Sequence, residues 1–267
     1  MNYSELNEHV DELLIERHGA TLLLTFNRPA SRNALTFAMY RRLGEAIRAI
    51  PDDPGIRVVV ITGAGGKAFA AGTDIGEFKA FNSPADAIAY EHSISEILGM
   101  LAHCPVPTLA AIAGACTGGG FGIASCCDIR LATADARFGV PIARTLGNCL
   151  SLTSHARISA LIGPARLADM IITARLFDAQ EMHAAGLLTE ITPDHESLQT
   201  RALALAQTIA GHAPLTMQVT RESLRALQVP VDPIAEKALF QKAYQSADFS
   251  EGVRAFLEKR KPVWTGN

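Results

Sequence analysis

Apolar residues in the first third of the chain follow two different spacings. Residues 13–17 and 21–26 are short apolar runs on either side of His18-Gly19, an arrangement typical of a β-hairpin. After Asn33 an apolar residue recurs every four positions, and this spacing predicts a helix. The recurring residues are Leu35, Met39, Leu43 and Ile47. A hairpin followed by a helix is therefore expected at the start of the fold.

Three buried strands are predicted further along the chain. Residues 57–62 are a β-branched run, residues 107–113 are a second apolar run, and residues 129–132 are a third. A helix is expected between the first two, because Ser83-Pro84 combines a helix-capping residue with proline at the first helical position. Strands that alternate with helices in this way indicate an α/β fold.

The carboxyl-terminal part has a helical pattern. Residues 178–181 form a capping box that opens a short helix, which is expected to stop at Gly186. The pattern then stays helical to the end, and it is most amphipathic over residues 240–258. We therefore expect an α/β core over residues 1–197 and a helical region over residues 198–267.

Composition and charge exclude several classes of protein. The chain has 267 residues, of which 48% are hydrophobic and 19% charged, so an intrinsically disordered chain is excluded. With 24 basic and 27 acidic residues and a net charge of −3, a nucleic-acid-binding face is not expected. The five cysteines include an adjacent pair and no C-x-x-C, which makes disulfides and a metal site unexpected and favours a reducing, cytoplasmic compartment.

Residues 104–127 carry no charge and are long enough to span a bilayer. The segment nevertheless contains Pro105, Pro107 and five glycines, and alanine dominates its apolar residues. A membrane helix should be richer in leucine, isoleucine and phenylalanine. We interpret the segment as a buried strand, a glycine turn and a buried helix, and we expect neither a membrane span nor a targeting segment.

Two glycine-rich turns could carry chemistry, one over residues 63–74 and one over residues 118–122. Glycine lets a backbone approach a ligand closely, and a turn that opens a helix directs free N–H groups at an anion. The first turn matches the G-x-G-x-x-A dinucleotide fingerprint, but Ala71-Gly72 interrupts any helix there and Asp74 lies too close to serve as the ribose-binding acid. A nicotinamide cofactor is therefore not expected.

Several motifs occur together in a fixed order. They are F-N-R-P at residues 26–29, N-A-L at 33–35, V-V-V-I-T-G-A-G-G-K-A-F-A-A-G-T-D-I-G-E-F at 58–78, the triple glycine at 118–120, C-D-I-R at 127–130, A-R-F-G-V-P at 136–141, A-G-L at 185–187 and E-G-V-R-A-F-L-E-K-R at 251–260. In this order and over nearly the whole chain, the sequence resembles the crotonase (enoyl-CoA hydratase/isomerase) superfamily.

The resemblance implies a crotonase-like spiral of ββα units with a carboxyl-terminal helical region that builds trimers or dimers of trimers. It also implies binding of an acyl-CoA thioester, with coenzyme A as part of the substrate and no separate cofactor. Two backbone N–H groups would hold the thioester oxygen as it becomes an enolate. By position they belong to Thr73 and Gly119.

Contacts to coenzyme A are carried over from the family in the same way. They fall on Ala71, Thr73, Asp74 and Ile75, with Arg28 as a candidate phosphate partner. Two further positions, Phe256 and Lys259, would reach the coenzyme A of a neighbouring subunit. For both basic residues a solvated surface charge is the alternative interpretation.

The sequence departs from the family where protons are transferred. Hydratases use two glutamates, and their positions hold Gly122 and Ile142. A third acid position known in the family falls near Leu150 or Ser151, so no usual carboxylate is present. The reaction is therefore expected to be atypical.

Polar residues near these positions offer replacements. Arg144 could bind a carboxylate on the substrate or stabilise negative charge, although a salt bridge or a surface position is equally compatible with the sequence. Ser151 and His155 are one helical turn apart, which could indicate a nucleophilic pair but is more typical of a capped helix start.

Three functions remain open at this stage. The first is an enzyme that acts on an acyl-CoA through an enolate, including decarboxylation, which forms an enolate without a protein base. The second is a non-catalytic protein that binds acyl-CoA, and the third is a hydrolase with a serine nucleophile.

Overall fold

The apolar hairpin at the start of the chain forms as predicted. The computed structural model describes residues 12–226, 234, 237, 241 and 244–263. Strand β1 (Leu13–His18) pairs antiparallel with β2 (Thr21–Phe26), and Gly19 makes the turn with a φ of 62°. Helix α1 (Phe37–Arg48) follows, and all four of the regularly spaced apolar residues are buried. The hairpin and the helix together close one edge of the core.

A six-stranded sheet forms the centre of the molecule. Its order is β1-β2-β3-β5-β7-β10, and the pairs from β2 to β10 are parallel. The remaining strands of this sheet are β3 (Val58–Gly63), β5 (Thr108–Ile112), β7 (Ile129–Thr133) and β10 (Glu190–Thr192). Every residue of β3 and β5 is buried, as expected for parallel strands that are covered on both faces. The three predicted buried strands are confirmed.

A second, four-stranded sheet in the order β4-β6-β8-β9 lies beside the first. Its strands are β4 (Ala68–Ala70), β6 (Ala115–Thr117), β8 (Arg137–Gly139) and β9 (Phe177–Asp178). Each of the strands β3, β5 and β7 of the large sheet is followed by a short strand of the small sheet and then by a helix. This repetition is the expected spiral of ββα units.

The helices begin at the residues that the capping patterns predict. Asp86 accepts hydrogen bonds from the backbone of Ser83 at the start of α2, and Asp178 and Glu181 form the capping box of α7. Within the described residues, the helices after α1 are α2 (Pro84–Ala102), α3 (Gly119–Cys126), α4 (Ile142–Thr145), α5 (Leu152–Ile162), α6 (Pro164–Ile172), α7 (Ala179–Ala184), α8 (His195–Ala210), α9 (Pro214–Ala226) and α10 (Ala247–Leu257). In the same part of the chain, short 3-10 turns span Pro29–Ser31, Ile50–Asp52 and Ile75–Ala80.

Asn33, which follows the hairpin, forms hydrogen bonds to the first glycine turn. The residue is fully buried with a φ of 54°, and its side-chain amide donates to the carbonyl oxygens of Ala64 at 3.0 Å and Ala68 at 2.7 Å. Gly63 lies directly beneath, and a Cβ there would overlap the backbone of residues 68 and 69. Two residues further on, Leu35 donates to Gly72 O at 2.8 Å and accepts from Asp74 N at 2.9 Å. These bonds fix the backbone of the turn around Thr73.

Helix α8 covers the face of the sheet opposite to α1. Leu198, Ala202 and Ala206 are fully buried there and pack against Val58 and Val60 of β3. The boundary predicted between residues 197 and 198 therefore falls inside a helix that packs on the core. The separateness of the region after α8 stays a prediction.

Other expectations concern the end of the chain, the cysteines and the bilayer. The amphipathic segment predicted over residues 240–258 contains α10, while residues 240, 242 and 243 lie outside the described part. None of the five cysteines forms a disulfide; four of them are buried and Cys149 is half-buried. Among the described residues no helix is long and apolar enough to cross a membrane.

Candidate active site

A mostly apolar cavity opens between α2, the first glycine turn, the start of α3 and the segment 140–158. Thr73, Gly119 and Gly122 line it, and so does Ile142. The structure therefore brings together both glycine turns and both positions at which the family usually has a glutamate.

Thr73 of the first turn and Gly119 of the second both line this cavity. In the described part of the chain, neither Thr73 N–H nor Gly119 N–H donates to a protein acceptor. A Cβ built on Gly119 would lie 3.0 Å from Thr73 Oγ1 and would overlap the Tyr40 hydroxyl, so the turns are in close contact and only glycine fits. Gly119 is also the first residue of α3, where the helix dipole favours negative charge. The arrangement can hold an oxyanion.

A chain of hydroxyl groups lies beside these N–H groups, and sequence reasoning missed it. Thr73 Oγ1 is 3.0 Å from the Tyr40 hydroxyl and 3.1 Å from the Tyr90 hydroxyl. Burial raises the pKa of both tyrosines well above the ordinary value of a phenol, with the nearby charge of Glu91 adding to the shift. Both phenols are therefore protonated at neutral pH and can act only as hydrogen-bonding groups.

A buried carboxylate was also missed. Glu91 on α2 is 7% exposed, lines the cavity, and accepts a hydrogen bond from the Tyr244 hydroxyl. Asn148 Nδ2 donates to the same hydroxyl at 3.2 Å. The sequence did contain a signal for this buried acid. Ala87, Glu91 and Leu98 are spaced by four and seven residues and so lie on the same side of α2, and Ala87 and Leu98 are buried. Glu91 is therefore a charged residue within an apolar stripe.

Gly122 and Ile142 are the positions to which the family resemblance assigns the two glutamates, and this assignment stays a prediction. Gly122 has an ordinary backbone within α3, and a Cβ built there would meet Leu98 Cδ1 at 3.6 Å. Ile142 opens α4 and also lines the cavity. Among the described lining residues Glu91 is the single carboxylate, and none is a lysine, arginine or histidine.

The structure does not bring the predicted replacement residues together in the cavity. Arg144 is exposed on α4 and is not among the described residues that line the cavity, so its role in catalysis has no support from the geometry. Ser151 caps α5 by accepting from Ser154 N at 3.1 Å, while the His155 ring faces the Ser151 carbonyl oxygen at 3.0 Å instead of its hydroxyl. The Ser–His pair is therefore absent, and the capped helix start is confirmed.

The residues assigned to coenzyme A fall into two groups. Ala71, Ile75 and Phe256 line the cavity together with Thr73. Lys259, in contrast, is exposed just beyond α10 and is not part of the described lining.

Arg28 and Asp74 form a salt bridge with one another. Arg28 Nη1 lies 2.9 Å from Asp74 Oδ2, and Arg28 Nε lies 3.0 Å from Glu12 Oε1. Asp74 also accepts from Gly76 N at 3.0 Å, which caps the short turn that follows. The two side chains brace the first glycine turn, and their contact with coenzyme A stays a prediction.

The described residues contain no candidate metal site. Within residues 12–226 and the described remainder of the chain, no group of three or more histidine, cysteine or acidic side chains could hold a metal ion.

Comparison with known proteins agrees with the fold. The chain is 35% identical over 258 residues to a probable enoyl-CoA hydratase of Mycobacterium bovis, covering 96% of this chain and 98% of that one. It is 33% identical to a 2,3-dehydroadipyl-CoA hydratase of Escherichia coli, with 96% and 100% covered. Among solved structures it is similar to an enoyl-CoA hydratase/carnithine racemase from Magnetospirillum magneticum, with 36% identity, a TM-score of 0.77 and 97% of each chain covered.

A second solved structure is a methylmalonyl-CoA decarboxylase bound to 2-nitronate-propionyl-CoA. It is 27% identical, with a TM-score of 0.86 and coverage of 96% of this chain and 99% of that one. The family model for enoyl-CoA hydratase/isomerase matches residues 16–267. On the shared spiral fold, the paired glycine turns and this match over nearly its whole length, the chain belongs to the enoyl-CoA hydratase/isomerase family.

Proposed function

We propose that this protein is an enzyme that acts on an acyl-CoA thioester through an enolate. The observation that carries the proposal is that Thr73 and Gly119 line one cavity and that their N–H groups have no protein acceptor in the described chain. Each such preorganised donor contributes about 3–4 kcal/mol to the stabilisation of an oxyanion in the transition state. Coenzyme A would be part of the substrate, and no separate cofactor is proposed.

Thioester recognition is expected in a direct binding measurement. Calorimetry should show that butyryl-CoA binds more tightly than S-butyl-CoA, the thioether that lacks the carbonyl oxygen. We expect about a tenfold difference in affinity, because each hydrogen bond to that oxygen has a net value of about 0.5–1.5 kcal/mol. Absence of any acyl-CoA affinity at millimolar concentration would refute the proposal.

The reaction itself is proposed to differ from hydration by paired glutamates, because Gly122 and Ile142 occupy both glutamate positions. Decarboxylation is a second candidate. It generates the enolate as carbon dioxide leaves, so it needs the two N–H groups but no base to form the enolate. The similarity to the methylmalonyl-CoA decarboxylase structure favours it. The alternative is a non-catalytic acyl-CoA-binding protein, which would bind the thioesters without turning any of them over.

A trimer or a dimer of trimers is proposed as the assembly. Leu215, Val219 and Leu224 on α9 are 72%, 59% and 61% exposed, and Phe256 on α10 is 51% exposed. Large apolar side chains exposed on surface helices are typical of surfaces that pack against another subunit. Light scattering at micromolar concentration should report at least three copies of the chain, and a monomer would contradict the proposal.

A cytoplasmic location is also proposed. Five cysteines that form no disulfide, four of them buried, are the pattern expected in a reducing compartment. Burial raises the pKa of the Cys104 thiol to about 11, so this thiol stays protonated and unreactive at neutral pH.

A further inference from the structure

Glu91 is the single carboxylate among the described residues that line the cavity. It is carried by α2, outside the segments in which the family motifs place catalytic acids. We propose that Glu91 is the general base and general acid that removes and returns the α-proton of the bound acyl-CoA. This inference rests on the proposed function, since it requires a thioester in this cavity.

The location of Glu91 places it near the oxyanion site. The neighbouring residue Tyr90 reaches Thr73 Oγ1 with its hydroxyl at 3.1 Å. Glu91 lines the same cavity as Thr73 and Gly119, so its carboxylate and the two N–H groups that would hold the thioester oxygen belong to one site.

The other described polar groups of the lining are hydroxyls, phenols, the Asn148 amide and the Cys149 thiol, which are types of group that are ordinarily uncharged at neutral pH, whereas a carboxylate is ordinarily ionised. The phenols of Tyr40 and Tyr90 are already protonated, because burial raises the pKa of both. Ser151 and Ser154 are engaged with each other at the start of α5, with their hydroxyl oxygens 3.0 Å apart. A carboxylate is a far better base than an alcohol, which leaves Glu91 as the group suited to proton transfer.

Tyr244 and Asn148 act as positioning residues. The Tyr244 hydroxyl donates to Glu91 Oε1, and Asn148 Nδ2 donates to the Tyr244 oxygen at 3.2 Å. Asn148 lies 57 residues and Tyr244 lies 153 residues after Glu91 in the sequence, so these hydrogen bonds connect α2 to two distant segments. The contacts restrict the rotamers of the Glu91 carboxylate. A fixed carboxylate loses little freedom when it meets the substrate.

The proposed step balances without any further reagent. A Glu91 carboxylate oxygen forms an O–H bond as the α C–H bond breaks, and the electron pair of that bond enters the enolate. The negative charge on the thioester oxygen is held by Thr73 N–H and Gly119 N–H. The carboxylic acid then exchanges its proton with solvent or returns it to the α-carbon.

Solvent exchange tests this step directly. The purified protein is incubated in deuterium oxide with trans-3-hexenoyl-CoA, whose α C–H is acidified by the thioester and by the double bond. Mass spectrometry then follows deuterium entering the ester. Because a general base contributes about 10²–10⁴-fold, Glu91→Gln should slow this exchange by that factor while calorimetry shows an affinity within a few-fold of the wild type.

A matched control lies on the same helix. Glu96 is also on α2, but its side chain is 71% exposed, so Glu96→Gln should exchange at the wild-type rate. A second variant, Glu91→Ala, should regain part of the lost exchange when formate is added, because a small carboxylate can enter the space that the side chain leaves. A purely structural role for Glu91 would give no such rescue.

The outcomes separate this inference from the proposed function. If the wild-type protein fails to bind the ester, the proposed function fails and this inference fails with it. If the ester binds but the wild type shows no exchange, the inference alone is overturned. Exchange by folded Glu91→Gln within threefold of the wild-type rate, or Glu91→Ala that formate leaves unchanged, would also overturn it.

Discussion

Hydration of short and medium trans-2-enoyl-CoAs is expected to run several orders of magnitude below the rate of an ordinary hydratase. Hydration needs one group to activate water and another to deliver a proton to the α-carbon. The positions that the resemblance assigns to these groups hold Gly122 and Ile142, so even with Glu91 to move the α-proton the described lining has no second carboxylate to activate water, and each missing acid or base costs about 10²–10⁴-fold. The loss of the ultraviolet absorbance of the conjugated thioester, or product analysis by mass spectrometry, would measure the rate. Turnover at about 1–10³ per second, usual for enzymes, would contradict the expectation.

Introducing a glutamate at both positions tests whether the missing carboxylates limit the rate of hydration. Gly122 has no positive φ, and its added Cβ would make only ordinary contact with Leu98, so a side chain can be built there. Gly122→Glu combined with Ile142→Glu should raise the rate of hydration by at least about tenfold over the wild type. This factor is smaller than the about 10²–10⁴-fold that one general acid or base typically contributes. The matched control is Gly122→Gln with Ile142→Gln, which adds the same volume without a base. Equal rates in the two double variants would show that the missing carboxylates do not limit hydration.

Removal of the Gly119 N–H is expected to reduce any enolate-forming activity by about 10²–10³-fold, the usual cost of losing one oxyanion-hole donor. Gly119→Pro deletes the donor, and proline is tolerated at the first position of a helix. Any Cβ at this position would overlap the Tyr40 hydroxyl, so the substitution is made in a Tyr40→Phe background to free the space. The rate of deuterium exchange at the α-carbon is the measurement.

Gly119→Ala in the same Tyr40→Phe background is the matched control for this loss. It introduces the same Cβ but keeps the N–H, so the difference between the alanine and proline variants isolates the hydrogen bond. Circular dichroism checks that both variants are folded. Equal exchange rates in the two would remove Gly119 N–H from the mechanism.

Local patterns in the sequence determined the elements of this fold. The β-branched run at residues 57–62 became β3, because six consecutive apolar or small residues suit a parallel strand buried on both faces. The capping patterns at Ser83 and Asp178 located α2 and α7, since a cap involves residues only three positions apart. The absence of glutamates at Gly122 and Ile142 was equally visible, because it needs only the residue types and a motif register.

Tertiary structure alone decided which side chains share the cavity. Glu91 meets Tyr244 across 153 residues of sequence, and Asn148 meets Tyr244 across 96, distances over which no periodicity carries information. Arg144 was a candidate because it lies two residues after Ile142, yet it is exposed and not part of the described cavity lining, since residues two apart on a helix face directions about 200° apart. Composition and spacing constrain the backbone through local physics, whereas the chemistry of this site depends on contacts that exist only after the chain has folded.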